Sequence, residues 1–224
     1  MMGILFRKVM IFLALIFYLV SFSLVIGSLF TDYWVISKVS KDNHFAHDGG
    51  VHSGLLNGVR EIDWGLGIRH IRFSVLEEIQ DGISFYNRAL WIFILFFVTL
   101  GVVWICVGVV TLFLLLFNIQ EESIMGPVGV YVWSLLALLS LTVSCVLFFI
   151  QYHISMQKNL LTIEQIQTGF STKGLARLGS SFYLMLGALL ALYFPPLFIF
   201  SSTERKNLKN EVNSDFNDPT ALLY

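Results

Sequence analysis

The chain has 224 residues, of which 56% are hydrophobic and 13% are charged, and its mean hydropathy is +0.76. Soluble domains average about 25% charged residues, so this composition disfavours a soluble globular protein. The 21 phenylalanines exclude a disordered chain, and a formal net charge of -1 offers no basic surface for nucleic acid. The composition therefore predicts a protein whose solvent is the lipid bilayer.

Four apolar stretches are long enough to cross a bilayer core, which takes about 20 helical residues. They contain no Asp, Glu, Lys, Arg or His, and they cover residues 9–30, 89–117, 124–150 and 178–200. We predict an all-α membrane protein, a four-helix transmembrane bundle over residues 1–200 with a polar tail at 201–224. Spans without ionisable residues argue against a pump, a secondary transporter or a voltage sensor.

The first apolar stretch also has features of a secretory signal peptide. Arg7 and Lys8 form a basic n-region, and Val25-Ile26-Gly27 loosely fits a cleavage site. Hydrophobic regions of signal peptides are usually only about 7–15 residues long, so we expect a retained span. Four spans place both termini on one side of the membrane, but the distribution of Lys and Arg among the loops does not decide which side.

The two cysteines, Cys106 and Cys145, both lie inside predicted spans. Their depths along the helices differ by about 18 Å at 1.5 Å per residue, whereas a disulfide needs Cα atoms within about 7 Å. We therefore predict two free thiols that pack as small side chains.

Small residues recur at helical spacing in the spans, which allows helices to approach closely. The pairs are Ser23 and Gly27, Gly101 and Gly108, Ser140 and Ser144, and Gly187 and Ala191. We favour packing inside this one bundle over a dimer face. Pro195-Pro196 predicts a break or kink in the fourth span.

The long loop, residues 31–88, has the pattern of a small folded unit. Residues 33–39 are rich in aromatic and β-branched side chains and predict a strand, to which residues 67–73 are expected to pair. Tyr33 and Trp34 also suit the aromatic belt at the membrane interface.

A helix is predicted to follow in the same loop. Ser74 and Glu77 have the spacing of a capping box. One stripe of this helix is apolar and the other side is polar. The apolar stripe is Val75, Ile79 and Ile83, and the polar side is Glu77, Glu78, Gln80 and Asp81.

The medium loop, residues 151–177, begins with an apolar repeat. Leu160, Ile163 and Ile166 recur at i, i+3 and i+6, which predicts that the third helix continues out of the membrane and rests on the long loop. A face that binds a partner is the alternative. At the carboxyl end, Leu222, Leu223 and Tyr224 match the apolar tail that a PDZ groove accepts, although any apolar tail can match by chance.

No residues in the sequence favour catalysis or a cofactor. His44, His47, Asp48 and His52 have no zinc-site spacing, so we expect a solvated loop and no metal. Nothing resembles a nucleophile elbow. We therefore predict a protein without enzymatic activity, metal or cofactor.

Several positions are expected to be structural. Trp34 should anchor the first strand. Gly54, Gly65 and Gly67 should hold tight turns that a side chain would obstruct. The start of the third helix should be set by Gly126, Pro127 and Gly129, with Pro127 near its first position.

Segments across the whole chain resemble the clarin family. Gly54-Leu55-Leu56-Asn57-Gly58, Gly65-Leu66-Gly67 and Arg72-Phe73-Ser74 resemble the first extracellular loop of clarins. Gly126-Pro127-Val128-Gly129 resembles the Gly-Pro-x-Gly start of the clarin third span. Trp64 stands where two clarin paralogues carry a cysteine, and the loop has no glycosylation sequon, so the chain is most similar to the third paralogue.

The resemblance implies a claudin-like or tetraspan-like left-handed bundle in the plasma membrane. It implies cytoplasmic termini, a cytoplasmic tail at 201–224, and extracellular loops at 31–88 and 151–177 that form a small β/α region. It also implies a non-enzymatic role, which in the better-known clarins concerns the stereocilia of sensory hair cells, mechanotransduction and synapse organisation.

Two main functional hypotheses follow from these observations. The first is an accessory or organising subunit that binds other membrane proteins laterally in the bilayer, with a PDZ-domain protein as a further partner and no nucleic acid. The second is a claudin-type cell-junction or paracellular barrier protein. A membrane enzyme or transporter is the third and least supported.

Overall fold

The computed structural model describes the chain in five segments. They are residues 2–41, 49–63, 67–82, 85–117 and 126–202. Four helices are long and apolar enough to cross a membrane, by length and composition, which confirms the prediction of a multi-pass membrane protein. They extend over Leu5–Phe30, Arg88–Leu116, Pro127–Met156 and Ser180–Ser202.

The described part of the chain is mostly helical, with a small sheet. In chain order its helices are α1 (Met2–Phe30), α2 (Val75–Gln80), α3 (Arg88–Leu116), α4 (Pro127–Gln151), α5 (Ile163–Gln167), α6 (Ser180–Leu192) and α7 (194–202). Its strands are β1 (Val35–Lys38), β2 (Ser40–Lys41), β3 (Gly49–Ser53), β4 (Asn57–Asp63), β5 (Ile68–Ser74), β6 (Phe170–Ser171) and β7 (Arg177–Leu178).

Helices α1, α3, α4 and α6 form the bundle. The most extensive contact joins α3 to α4, and α1 packs against both α6 and α3. Gly101 allows the closest approach of α3 to α4, because a Cβ there would lie 2.6 Å from Leu141 Cδ2. Ser144 on α4 donates a hydrogen bond to the Ile94 carbonyl on α3, at 3.3 Å. These small residues therefore pack inside the chain, whereas no atom lies within 4 Å of the missing Cβ of Gly27.

The two cysteines are free, as predicted: Cys106 is exposed on the bundle surface and Cys145 is buried. The fourth span is interrupted at Tyr193, and Pro195 and Pro196 occupy the first turn of α7. Proline is tolerated in a first turn because the N–H it lacks would have no helical partner there. The predicted break near these prolines is therefore present.

The predicted continuation of the third helix is wrong beyond Met156. Helix α4 is followed by a π-helical turn, Tyr152–Met156. In the rest of the medium loop the one helix is the short α5. The chain leaves the helix because Leu160 N donates to Thr172 Oγ1 at 2.8 Å and Thr172 Oγ1 donates to Asn159 Oδ1 at 2.7 Å. Leu160 is buried, but Ile163 and Ile166 are exposed, so the three residues do not share one packed stripe.

The main sheet has five antiparallel strands in the order β5-β4-β3-β1-β7, and β2 pairs separately with β6. The medium loop therefore rests on the long loop through strand pairing. The prediction that residues 67–73 pair with residues 33–39 is wrong, because β5 pairs with β4 and lies at the edge of the sheet. A strand's sequence does not by itself determine its neighbour. Only four residues separate β4 from β5 in the sequence, and short connections favour antiparallel pairing of consecutive strands.

The sheet lies at the end of the bundle where α1 and α4 end and where α3 and α6 begin. Burial alternates along β1 and β4 with the period of two that separates the faces of a sheet. We call the buried side the inner face; it includes Val35, Ser37, Val51, Ser53, Arg60 and Ile62. We call the other side the outer face; it includes Ile36, Lys38, His52, Val59, Glu61 and Arg72.

Helix α2 begins after Ser74 as predicted, but the capping box does not form. Ser74 makes no side-chain cap bond, because it still belongs to β5, opposite Asn57. The first helical amide, Val75 N, donates instead to the Leu56 carbonyl at 2.9 Å. Val75 is buried and Ile79 packs against the core, as the apolar stripe predicts. Ile83 lies outside the described residues.

Candidate interaction surface at the sheet-bearing end

Trp34 lies at the junction between the bundle and the sheet. Its side chain is fully buried, so the expectation of an interfacial belt position is wrong for Trp34, although Tyr33 is exposed. The indole N–H donates to the Ser28 carbonyl at 2.7 Å, and the ring packs edge-on against Phe148 with centroids 4.6 Å apart. The indole therefore ties the end of α1 to the end of α4.

A second set of hydrogen bonds ties α1 to the start of α6. Ser28 Oγ donates to the Ser181 carbonyl at 2.7 Å, and the Thr31 and Ser181 hydroxyls share a hydrogen bond of 2.7 Å. In the backbone, the Gly179 N–H also donates a hydrogen bond to the Trp34 carbonyl, at 2.9 Å. A Cβ on Gly179 would overlap the Tyr33 carbonyl, so only glycine fits there without a backbone shift.

Gly54 lies in the turn between β3 and β4, which is attached to the start of α3. A Cβ at Gly54 would lie 2.6 Å from the Thr31 carbonyl oxygen. The Gly54 carbonyl accepts a hydrogen bond from Tyr86 at 2.6 Å, and the next carbonyl, of Leu55, accepts from the Trp91 indole at 2.8 Å. Burial raises the pKa of the Tyr86 phenol, which therefore stays neutral and keeps this bond at neutral pH.

A buried ion pair holds the inner face of the sheet to α2. Arg60 on β4 makes a bidentate contact with Glu78 on α2, and the side chains are only 3% and 13% exposed. The sequence predicts Glu78 on the polar side of α2, opposite the apolar stripe, but in the structure its side chain is largely buried against Arg60. The Arg60 Nε also donates to the Leu160 carbonyl at 3.4 Å. One guanidinium thus joins the sheet, α2 and the medium loop.

Aromatic rings complete the surroundings of Arg60. Its guanidinium carbon lies 4.0 Å from the centroid of the Phe73 ring and 5.7 Å from that of Phe85. Such cation–π contacts are strongest where water is excluded. Phe73 in turn covers Gly58, where a Cβ would overlap the ring. The inner face is therefore closed and has a structural role.

The outer face is open. Along one row of the sheet, the residues in register are Arg72, Val59, His52, Ile36 and Arg177. The Tyr33 ring stacks on His52 with centroids 4.4 Å apart, and His52 Nδ1 bonds to the Asp32 carbonyl at 3.1 Å. This row mixes apolar, aromatic and cationic side chains, which suits contact with another protein better than chemistry on a small substrate.

The predicted structural residues do not form one site. Trp34 and Gly54 meet at the bundle–sheet junction, where Trp34 N donates to the Ser53 carbonyl at 3.0 Å. Gly67 precedes β5 with a positive φ of 106° and no atom near its missing Cβ. Gly126 caps α4, Pro127 is its first residue and Gly129 is buried, at the opposite end of that helix.

Some predicted residues lie outside the described part of the chain. They are His44, His47, Asp48, Gly65, Leu222, Leu223 and Tyr224.

Sequence reasoning missed Arg60, Glu78, Gly58 and Gly179. Arg60 had one available signal: it occupies an inward position of β4, between Gly58 and Ile62, where alternation requires an apolar residue. A charge at such a position predicts a buried partner. Gly179 gave no signal, because its constraint comes from Tyr33, which is distant in sequence.

No protein-family model matches the chain, and no curated protein matches it.

Proposed function

We propose that this chain is a non-enzymatic multi-pass membrane protein that acts as an accessory or organising subunit for other membrane proteins. The bundle is the part that contacts partners laterally in the bilayer. The outer face of the sheet is the part that contacts partners in water. The observation that carries the proposal is a contrast between two regions. The apolar stretches of the bundle, residues 9–30, 89–117, 124–150 and 178–200, contain no Asp, Glu, Lys, Arg or His, whereas the folded sheet has an open, mixed surface.

Hydrogen bonds in the bundle support a packing role. The Tyr18 and Ser134 hydroxyls lie 2.6 Å apart, and Ser21 Oγ donates to the Ala188 carbonyl at 3.0 Å. Polar groups that bond across helices hold a membrane bundle together. Conduction or proton transfer usually requires ionisable groups facing a cavity, and residues 9–30, 89–117, 124–150 and 178–200 contain no Asp, Glu, Lys, Arg or His.

Outward-facing side chains of the spans are large and apolar. Examples are Phe12 on α1, Phe96 on α3, Leu139 on α4 and Leu190 on α6, all more than a third exposed. Such side chains meet either lipid or the helices of another membrane protein. A lateral partner therefore needs no buried charge to bind here.

The family proposal rests on the clarin-like segments. Of these, Gly54 and Gly58 have their space filled by neighbouring atoms, and Pro127 begins α4. We infer a claudin-like bundle in the plasma membrane with cytoplasmic termini and the sheet outside the cell. A role in organising the stereocilia of hair cells follows from the same resemblance. The orientation is tested by an epitope tag at either terminus, which antibody should reach only after the cells are permeabilised.

Co-purification tests the proposed function. The full chain, tagged and extracted in mild detergent from its native tissue, should recover the same membrane protein in repeated preparations. The double variant Ile36→Asp, Val59→Asp changes only the outer face and should reduce recovery of any partner that contacts the sheet. Recovery of a lone monomer in every preparation contradicts the proposal.

A claudin-type junction protein is the second candidate, because the chain also combines four apolar helices with a sheet at one end of the bundle. Claudins stabilise that sheet with two loop cysteines, whereas both cysteines here lie in the helices. Expression in an epithelial monolayer should change transepithelial resistance if this candidate holds. Unchanged resistance, without enrichment at cell contacts, excludes it.

A further inference from the structure

A polar groove lies between the end of α1 and the open end of the β4–β5 hairpin. Its volume is about 340 Å³. Small-molecule sites usually measure about 300–1,000 Å³, so the groove is large enough for a compact ligand. Its lining residues are Asp32, Asn57, Gly58, Arg72, Phe73 and Ser74.

The groove carries one charge of each sign. Asp32 lies on the α1 side and Arg72 on the β5 side. Neither side chain makes a hydrogen bond or ion pair within the described chain. Arg72 therefore differs from Arg60, whose guanidinium is fully occupied by Glu78 and the Leu160 carbonyl. Both charges of the groove are available to a ligand.

Neutral donors lie beside Arg72. Asn57 and Ser74 are opposite each other in the β4–β5 register, and the Ser74 hydroxyl is not used to cap α2. An amide, a hydroxyl and a guanidinium are the groups that bind a phosphate. Asp32 supplies the one carboxylate, which suits an ammonium group. The groove therefore matches a ligand with an anionic and a cationic end.

The position of the groove indicates where such a ligand comes from. Asp32 follows the last residue of α1, Phe30, by two positions. Phe30 and Leu76, which lies two positions after Ser74, are both exposed apolar side chains. We therefore expect this groove, at the end of a span and flanked along the chain by exposed apolar residues, at the level of the lipid headgroups.

We propose that this groove binds the zwitterionic headgroup of a phospholipid. The phosphate contacts Arg72, Ser74 and Asn57, and the ammonium contacts Asp32. A free zwitterion such as phosphocholine has the same chemistry. A bound headgroup would fix the depth at which the sheet sits on the membrane, independently of any protein partner.

Native mass spectrometry of the full chain in detergent tests this proposal. The probes are phosphatidylcholine and phosphatidylglycerol with identical acyl chains, so that both carry the phosphate and only phosphatidylcholine carries an ammonium group. The wild-type chain should bind phosphatidylcholine more tightly. Asp32→Asn should weaken phosphatidylcholine about tenfold, the scale of one lost charged contact, without weakening phosphatidylglycerol. Arg72→Gln should weaken both lipids, and Arg72→Lys should restore most of the binding.

Arg69→Gln is the matched control, because Arg69 is exposed on the same strand and does not line the groove. Among the residues that the structure describes, neither Asp32 nor Arg72 has a side-chain hydrogen bond or ion pair, so all variants should melt like the wild type. Equal binding of both lipids by the wild type, or equal behaviour of Arg72→Gln and Arg69→Gln, would overturn the proposal.

Phosphocholine distinguishes the source of the ligand. If it displaces phosphatidylcholine in the same spectra, the headgroup alone is sufficient and a free zwitterion can occupy the groove. If it does not, the acyl chains are needed and the occupant is a membrane lipid. Either result supports a zwitterion site, provided that Asp32→Asn abolishes the preference for phosphatidylcholine.

Discussion

The bundle and the sheet-bearing end both bury polar groups, but they bury groups of different kinds. In the bundle, most buried polar side chains are hydroxyls, and they bond to carbonyls or to each other, as Ser21 does to Ala188. At the sheet, a full charge is buried: Arg60 is enclosed by Glu78, Leu160 and two aromatic rings. The comparison teaches that charge is used only where strands and loops supply enough partners to satisfy it.

This difference predicts which region loses more stability when a buried polar residue is substituted. A hydroxyl in a bundle can be lost at little cost, because the carbonyl it contacts is also bonded within its helix. Breaking a buried ion pair leaves the remaining charge without compensation. Substitutions at the sheet-bearing end should therefore be more damaging than substitutions of the same size in the bundle.

The largest expected effect is that of Arg60→Met. Removing the guanidinium leaves the Glu78 carboxylate largely buried and unpaired, which should lower the free energy of unfolding by about 3–5 kcal/mol. Unfolding of the full chain by SDS titration measures the change. The double variant Arg60→Met, Glu78→Met should recover much of the loss.

Glu61→Gln is the control for that experiment, since Glu61 pairs with His70 on the exposed outer face. It should change stability little, because exposed ion pairs contribute about 0–1 kcal/mol. If Arg60→Met lowers the free energy of unfolding no more than Glu61→Gln does, the buried Arg60–Glu78 pair does not stabilise the sheet-bearing end.

The next largest effect is expected for Gly179→Ala. The new methyl group would overlap the Tyr33 carbonyl, so the start of α6 must move away from the sheet at a cost of about 1–3 kcal/mol. The matched control is Gly27→Ala in α1, where no atom lies within 4 Å. That substitution should be neutral or stabilise the helix by about 0.5–1 kcal/mol. Equal destabilisation by both variants would contradict the close approach of Gly179 to the Tyr33 carbonyl.

Trp34→Phe should have a smaller effect. It keeps most of the aromatic packing against Phe148 but removes the indole N–H bond to the Ser28 carbonyl. That carbonyl retains a bond from Thr31 at 3.2 Å, so we expect a loss of about 0.5–1.5 kcal/mol. Thermal unfolding with Tyr33→Phe as control checks this, since Tyr33 is exposed. An interfacial Trp34, in contrast, would tolerate phenylalanine.

The smallest effect is expected in the bundle. Ser144→Ala removes the hydroxyl bond to the Ile94 carbonyl and should cost about 0.6 kcal/mol, the average for such bonds between membrane helices. SDS titration again measures it. A loss as large as that of Arg60→Met would remove the distinction between the two regions.

The helices were predictable from sequence and the sheet pairing was not, for a physical reason. A run of apolar residues as long as 9–30 specifies a membrane helix by itself, because lipid leaves the backbone no other partner. The neighbour of a strand depends on residues far away in sequence. Residues 33–39 do contain a strand, β1, as the sequence predicts, but its partners are β3 and β7 and not β5.

The candidate site shows the same limit. Pro127 at the start of α4 was predictable because its effect is local. Arg60, Gly58 and Gly179 are constrained by Glu78, Phe73 and Tyr33, which only the fold brings to them. The capping box predicted at Ser74 does not form for a related reason, because Ser74 pairs with Asn57 in the sheet and strand pairing competes with helix capping.

The proposed function predicts lateral contact with another membrane protein, and site-specific photocrosslinking in native membranes tests this most directly. A photoreactive phenylalanine would replace the outward-facing Phe12 or Phe96, with the fully buried Phe148 as control. We predict a discrete adduct with another membrane protein from at least one outward position, and none from Phe148. Adducts with lipid alone, from these positions and from Leu139 and Leu190, would contradict the account.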